Sequence, residues 1–287
     1  MTPVEISFVT PLFNCIGYTR EYLRTLAQTV PNVAYEIVLV DDLSTDGTRQ
    51  FLKNLSNPPY RVFLNQSNEG FAKSSNIGAR HAKGKYLCFL NNDLLLRPGW
   101  MDPMYALLRS QPDVGAVGNI QIEPGSGLIH HAGVFFDWDG RPLHAWRYRR
   151  RRPEGDFGEW NAITAACFMI EAQLFREVGG FDEAYRNGFE DIDLCVRLRQ
   201  KGYRLLVSYR SVIDHHASVS PGRTQYDDEN RERFLGKWRH VTRRWGREEW
   251  PAQYVHRYAR KWWKMVPWRM AQAICILAYR RLLQTQS

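Results

Sequence analysis

The chain carries few residues whose type and spacing suggest chemistry, and the clearest group is Asn91-Asn92-Asp93. It follows Tyr86-Leu87-Cys88-Phe89-Leu90, a short apolar run after Gly84 that reads as a strand buried on both faces. Such a strand belongs in the middle of a parallel sheet, and ligands of open α/β sheets bind beyond the carboxyl ends of the strands. A carboxylate at that place can hold a hard cation against phosphate oxygens. Asn and Asp also favour plain turns, so this stretch alone does not decide. Two further groups stand at the ends of elements. Glu190, Asp191 and Asp193 open a helix pattern, where acids also suit the helix dipole. His215 and His216 follow a late strand.

The elements that must position these groups alternate. Strands are expected at 5–10, 36–40, 61–64, 86–90 and 114–117, with helices near 18–29, 47–55, 71–82 and 101–109 between them. The first of these helices should turn Tyr18, Tyr22, Leu23, Leu26 and Ala27 to one face. That alternation predicts βαβ units and a mostly parallel sheet. From 123 to 145 the pattern loosens into short strands and loops. Arg147 to Pro153 reads as an exposed, mobile loop, since its like charges repel. A helix over 190–202 and strands at 203–207 and 211–213 follow.

The chain has 287 residues, and 44% are hydrophobic, which allows a sizeable core and excludes wholesale disorder. Its five cysteines are widely spaced with no C-x-x-C pair, so neither a zinc site nor a disulfide framework is signalled, and a reducing compartment fits. No signal peptide and no membrane-spanning run is evident. The net charge of +9 is uneven: residues 231–287 hold 14 basic and 3 acidic residues, net +11, and six of the ten tryptophans. No nucleic-acid motif accompanies that charge, so a nucleic-acid partner is not expected.

Four stretches taken together carry a resemblance. They are EIVLVDDLSTDGT at 36–48, NQSNEGFAKSSNIGAR at 65–80, GKYLCFLNNDLLLRPGW at 84–100 and VGGFDEAYRNGFEDIDLCVRLRQKG at 178–202. Over about residues 4–224 the chain resembles the family-2 glycosyltransferases of the GT-A fold, especially the rhamnosyltransferase-like branch of bacterial surface-polysaccharide enzymes. The fold implied is α/β, a Rossmann-like, mostly parallel central sheet flanked by helices, with a C-terminal helical extension. Residues 1–125 would bind the nucleotide sugar, 126–230 would bind the acceptor and carry the catalyst, and 231–287 would form the extension. The activity implied is transfer of a hexose or deoxyhexose from a nucleotide diphosphate sugar, with inversion, to a glycan or lipid-linked saccharide. The alternative is a catalytically weak sugar-nucleotide-binding module. A nucleotidyltransferase lacks support, because no Gly-rich, Arg/Lys-containing triphosphate loop follows the first strand.

The resemblance also implies roles. Thr10, Pro11 and Asp41 or Asp42 would hold nucleobase and ribose, and Asn68 and Lys73 would meet the nucleotide and its phosphates, beside Asn91 and Asn92. Asp93 is the last Asp of the family's D-x-D motif; Asn91 replaces the first, which removes one anionic group. Mg²⁺ or Mn²⁺ would be held by Asp93 and by His215, with His216 the near alternative. Asp191 would be the base that takes the acceptor's proton. Trp160, Cys167 and Glu190 would line the acceptor side, and Trp138, Trp146 and Trp160 stack on sugars or simply fill the core.

The segment 231–287 permits two readings. Lys261 to Met270 mixes cations with large aromatics, and 271–279 adds a short apolar helix pattern. This suits a helix lying in an anionic membrane interface, on the inner face of the plasma membrane of an otherwise cytoplasmic protein. It equally suits a helical hairpin packed on the catalytic domain or on a second copy.

Overall fold

The computed structural model describes residues 3–30, 32–55, 59–217, 222, 224–258, 263 and 265–284. The first half alternates as expected. Strand β1 (Ile6–Leu12) leads to helix α1 (Ile16–Thr29), β2 (Tyr35–Asp41) to α2 (Thr48–Lys53), β3 (Tyr60–Leu64) to α3 (Gly70–His81), and then β4 (Tyr86–Leu90). A two-residue β5 (Leu94–Leu95) precedes α4 (Asp102–Ser110) and β6 (Val114–Ile122). The loosened stretch holds β7 (Ile129–His131), β8 (Val134–Phe136), β9 (Pro142–His144) and β10 (Phe157–Glu159). Then come β11 (Cys167–Glu171), α5 (Ala172–Glu177), α6 (Glu190–Gln200) and β12 (Arg204–His215), and last α7 (Asp227–Tyr258) and α8 (Pro267–Gln284).

The main sheet runs β10-β12-β6-β11-β4-β1-β2-β3, with β5 joined to β12 and β7 to β6. Pairing is parallel for β1 with β2 and β4, β2 with β3, and β6 with β12. β4 is buried along its whole length, as its uninterrupted apolar run requires. It does not sit among parallel neighbours on both sides, however, because β11 runs antiparallel between β4 and β6. The carboxyl ends of β1, β2, β4, β6 and β12 therefore share one edge with the amino end of β11.

Side chains alternate across the sheet with the two-residue strand period. On β2, Ile37 and Leu39 join a core with Phe8, Tyr22, Leu26, Trp100 and Met104, under α1 and α4. Val38 and Val40 join the opposite core with Phe89, Phe175, Phe181, Leu194, Phe234 and Trp250. On α1 the buried face is Tyr22, Leu23 and Leu26 with Thr19 and Thr25, while Tyr18 and Ala27 turn outward. Thr25 tolerates burial because its hydroxyl donates to the carbonyl of Tyr22 at 3.0 Å.

Two strands expected at 203–207 and 211–213 are one, β12, with an irregular register between Ser208 and Val212. The exposed Arg210 at that bulge breaks the apolar run. The arginine-rich stretch after β9 is exposed but tied down: Tyr148 N donates to Ile129 O and Ile129 N to Arg149 O, both at 2.8 Å. Helix α7 repeats apolar residues at Phe234, Trp238, Val241 and Trp245, one helical stripe that packs on the β8 side of the core. At Gly246 the approach is so close that a Cβ would collide with the carbonyl of Asp137. α8 packs along α7 and buries Ala273. No helix among the described residues is long and apolar enough to cross a membrane.

Candidate active site

A cavity of about 510 Å³ opens at the shared edge of the sheet. The ends of β1, β2 and β3 contribute Pro11 to Phe13, Asp42, Asn68, Gly70 and Phe71. Asp42 is buried, and its carboxylate accepts Glu69 N at 2.7 Å, Gly70 N at 2.8 Å and Asn65 Nδ2 at 2.9 Å. Those amides open α3, so the carboxylate caps that helix from a neighbouring strand end. Asn68 donates to the carbonyl of Asp42 at 3.1 Å. This wall is set before any ligand arrives.

Asn91, Asn92 and Asp93 form the next part of the lining. Asn91 N donates to Ala166 O at 3.0 Å, and Asn92 Nδ2 to Thr19 Oγ1 at 2.9 Å. β5 pairs with β12 so that Leu94 faces His215, which brings Asp93 Oδ1 to 3.2 Å from His215 Nε2. Gln121 Oε1 lies 2.7 Å from His215 Nδ1; the amide oxygen can only accept, so Nδ1 carries a proton and Nε2 is left as the atom facing Asp93. Both facing atoms are buried and neither completes an aligned hydrogen bond. Two lone-pair atoms at that distance call for a proton or a cation between them. Burial raises the Asp93 carboxyl, but the contact with and charge of His215 hold it below the usual carboxylate range. The oxygen and imidazole donors fit a divalent cation, and the second-sphere bond from Gln121 is the usual way to orient such a ligand. Among the described residues no group of three His, Cys, Asp or Glu side chains is set for a metal, so the remaining ligands would be phosphate oxygens and water. His216 turns away, its ring 4.8 Å from that of Tyr18.

The third part of the wall is the start of α6. Asp191 Oδ2 accepts Ala165 N at 3.0 Å and Oδ1 accepts Ile192 N at 2.8 Å. Glu190 accepts Gly188 N at 2.6 Å. Both line the cavity. The turn before them is strained, with φ of 56° at Asn187 and 72° at Phe189, a conformation costing about 1–3 kcal/mol per residue. Its surroundings hold it: Asn187 Oδ1 accepts Phe71 N at 3.1 Å, and the Phe189 ring lies tilted 5.5 Å from that of Phe234 of α7. Asp193, two residues on, points the other way. It is fully buried against Arg197 at 2.8 Å, Lys237 at 2.7 Å and Trp238 Nε1 at 2.6 Å.

Several anticipated residues are not brought into the cavity. Thr10 is buried with its hydroxyl 2.7 Å from Tyr22 OH, and Asp41 pairs with Arg49 at 2.9 Å. Lys73 lies one turn along α3 from Glu69 and pairs with it at 2.5 Å, as oppositely charged residues at i,i+4 do. Cys167 faces Met104 in the opposite core, at 3.9 Å. Trp160 is buried against Gly133, whose φ of 117° and lack of Cβ make room for the indole. Pro11, Asp42, Asn68, Asn91, Asn92, Asp93, Glu190, Asp191 and His215 do converge.

Sequence reading missed other lining residues. His130 and His144 come from β7 and β9, three-residue strands too short for any periodicity. The His130 ring lies 5.3 Å from His215 and 5.7 Å from His144, and burial, with His215 and Arg147, lowers it to about 4. His131 sits behind, fully buried and lowered well below its ordinary range for the same reason. Arg186 is the one Lys or Arg side chain among the described lining residues. Its Nη2 donates to Asn68 O at 3.0 Å and Oδ1 at 3.2 Å, and its guanidinium lies 5.1 Å from the centre of the Tyr226 ring.

Residues 7–179 match the family described as Glycosyl transferase family 2. The chain belongs to that family. Among relatives of the glycosyltransferase, an uncharacterized protein of Sinorhizobium fredii is 30% identical over 254 residues, covering 82% of this chain and 28% of that protein. The O-antigen biosynthesis protein RfbC of Myxococcus xanthus is 28% identical over 225 residues, 75% of this chain and 18% of its own length. The chain thus spans less than a third of these two relatives. A crystal structure of GalNAc-T7 with UDP, GalNAc and Mn²⁺ superposes with a TM-score of 0.66 at 22% identity, over 83% of this chain and 48% of that one. A mannosyltransferase of Pyrobaculum calidifontis, in complex with GDP-mannose and Mn²⁺, gives 0.59 at 16% identity, over 99% and 82%. These likenesses show the GT-A fold.

Proposed function

We propose that the chain is an inverting, divalent-cation-dependent glycosyltransferase that moves a sugar from a nucleotide diphosphate sugar to a saccharide acceptor. The observation that carries this reading is the buried pair Asp93 Oδ1 and His215 Nε2, 3.2 Å apart. Residues 1–125 supply most of the nucleotide side, and 126–230 the acceptor side and the base, together with the donor contacts of Arg186 and His215. Pro11, Asp42 and Asn68 seat the nucleoside, and Arg186 replaces Lys73 as the side-chain cation nearest the phosphates. A Mg²⁺ or Mn²⁺ ion held by Asp93 and His215 would offset the charge that develops on the leaving diphosphate. Asp191 takes the proton of the acceptor hydroxyl as that oxygen bonds to the anomeric carbon, while the bond to the diphosphate breaks on the opposite face. The amide of Ala165 keeps the Asp191 carboxylate aimed.

The finer substrate reading is a glycan or lipid-linked saccharide of surface-polysaccharide assembly, in line with the O-antigen biosynthesis named for the Myxococcus relative. Docking to an anionic membrane would bring the site to a lipid-linked acceptor. Support comes from α8 and the residues before it, where Trp263, Trp268, Ile274 and Tyr279 are more than half exposed and Arg269 and Arg281 are also exposed. Co-sedimentation with anionic vesicles at low salt, reversed at high salt, tests this; a protein that stays in solution leaves that face for a second copy.

The deciding experiment is a donor screen on the purified chain with Mg²⁺ or Mn²⁺, reading released nucleoside diphosphate. Wild type should turn over at least one donor, Asp93→Ala should abolish the cation-dependent part, and Asn91→Asp should bind cation as tightly or more so. Binding of nucleotide without release from any donor would favour the recruiting module instead. A product that keeps the donor's anomeric configuration would reject inversion.

A further inference from the structure

We propose that His130 and His144 form the wall that recognises the donor's sugar, and that this sugar is an uncharged one. The inference rests on the transferase reading above. The order of the strands locates the subsite. The ends of β3, β2 and β1 carry Asn68, Asp42 and Pro11, and the end of β4 carries Asp93. Past β4 come β11, β6 and β12, where the cavity is lined by Thr164 to Ala166, Asp191, His130 and His144. The sugar is bonded to the phosphate farther from the nucleoside. With the diphosphate beside Asp93 and the nucleoside over β1 to β3, the sugar reaches this last stretch.

The hydrogen bonds among the histidines set their charge. Gly133 N donates to His131 Nε2 at 3.3 Å, so that nitrogen bears no proton. His131 must then carry its proton on Nδ1, which donates to His144 Nδ1 at 3.1 Å. His144 is in turn an acceptor at Nδ1 and a protonated nitrogen at Nε2. Both rings are neutral, and the tautomer of His144 is dictated from behind by His131. His130 Nδ1 is buried and has no hydrogen-bond partner among the described residues. A buried polar atom left in that condition is unfavourable until a ligand meets it. His144 keeps its Nε2–H to donate, and the unpartnered Nδ1 of His130 stands beside it, so the two rings together can meet sugar hydroxyls.

The same stretch disfavours a sugar carboxylate. Glu190 and Asp191 face it, and the one guanidinium among the described lining residues, Arg186, is committed to Asn68 on the nucleotide side. A uronate would enter beside two acids, with no lysine or arginine among the described lining residues left to receive it.

The test compares donors that share one nucleotide and differ in the sugar: a neutral hexose or deoxyhexose against the matching hexuronate. Wild type should prefer the neutral donor by about 10²-fold or more in kcat/KM, the scale of an unpaired buried charge. His130→Phe keeps a ring against His215 and loses the polar atom. It should raise KM for the nucleotide sugar about tenfold. Its affinity for the nucleoside diphosphate alone should match wild type, whereas a purely structural role would weaken both together. His130→Gln, which restores a donor and an acceptor, should recover part of the loss. A preference for the uronate, or equal weakening of both ligands by His130→Phe, overturns the inference and leaves the transferase reading intact. Failure of wild type to turn over any donor overturns the transferase reading itself, and this inference with it.

Discussion

On one side of the cavity Asp42 takes its hydrogen bonds from Asn65, Glu69 and Gly70, all within 28 residues of it. On the other, the turn that carries Asp191 is backed by α7: Asn230 bonds both the N–H and the C=O of Arg186, and Lys237 and Trp238 hold Asp193. The Asp42 wall is therefore fixed within the β2–β3–α3 unit, and the base side by a helix about forty residues further along the chain. The difference teaches that nucleotide binding and transfer can fail separately. Damage to α7 or its anchors should reach the base first.

The sharpest way to break this comparison is Asp193→Ala, which takes the buried carboxylate from the largely buried Arg197, while the more exposed Lys237 keeps Asp182. Loss of one partner of a buried ion pair costs about 3–5 kcal/mol, read by chemical denaturation. Transfer should fall more than nucleotide affinity; an equal fall would show that the two sides are not held independently. Next in size is a pH effect on α7. Burial raises half-buried Glu249 from 4.5 to about 7, against bonds from Asn161 and the Phe136 backbone that lower it. Between those values the folded chain keeps a proton that the unfolded chain has released. Stability should fall as pH rises from about 4.5 to about 7, by up to about 3 kcal/mol, and stay level above. Glu249→Gln should flatten that slope and be more stable than wild type at pH 8.

Asp191→Asn should leave nucleotide affinity unchanged and lower transfer by about 10²-fold or more, the usual scale of general-base catalysis. Calorimetry and a transfer assay on one preparation separate the two, and near-full transfer would move the base to Glu190. The smallest effect sharpens the comparison, because Arg186 touches both sides. Arg186→Ala should raise donor KM about tenfold and lower kcat as well, since one change loosens Asn68 and the base turn together. A change in KM alone would confine Arg186 to the donor side.

Much of the donor side was legible in the sequence. The run Tyr86 to Leu90 is β4 residue for residue, because a strand buried on both faces must be apolar throughout and must stop where Asn91 meets the cavity. The histidine wall was not legible. His130 and His144 lie 14 positions apart on strands of three residues, and only tertiary pairing brings them to His215. Lys73 shows a different limit: its place in the motif was clear, but its direction is set by Glu69, four residues away. Helix α7 was obscured by its charge. Its inward stripe of Phe234, Trp238, Val241 and Trp245 has plain helical spacing, yet the basic residues between them made the segment read as a separate surface. α8 keeps an exposed aromatic face and meets the core through Ala273 and Met270.

The hydrogen bond from Phe71 N to Asn187 Oδ1 spans 116 residues of chain. A contact of that sequence separation carries a loop-closure entropy that the local contacts of either segment do not. It also joins the first turn of α3 to the strained turn before α6, so an opening of either segment exposes the same amide. Solvent exchange of that single proton therefore reports the fraction of molecules in which both walls of the cavity are assembled at once.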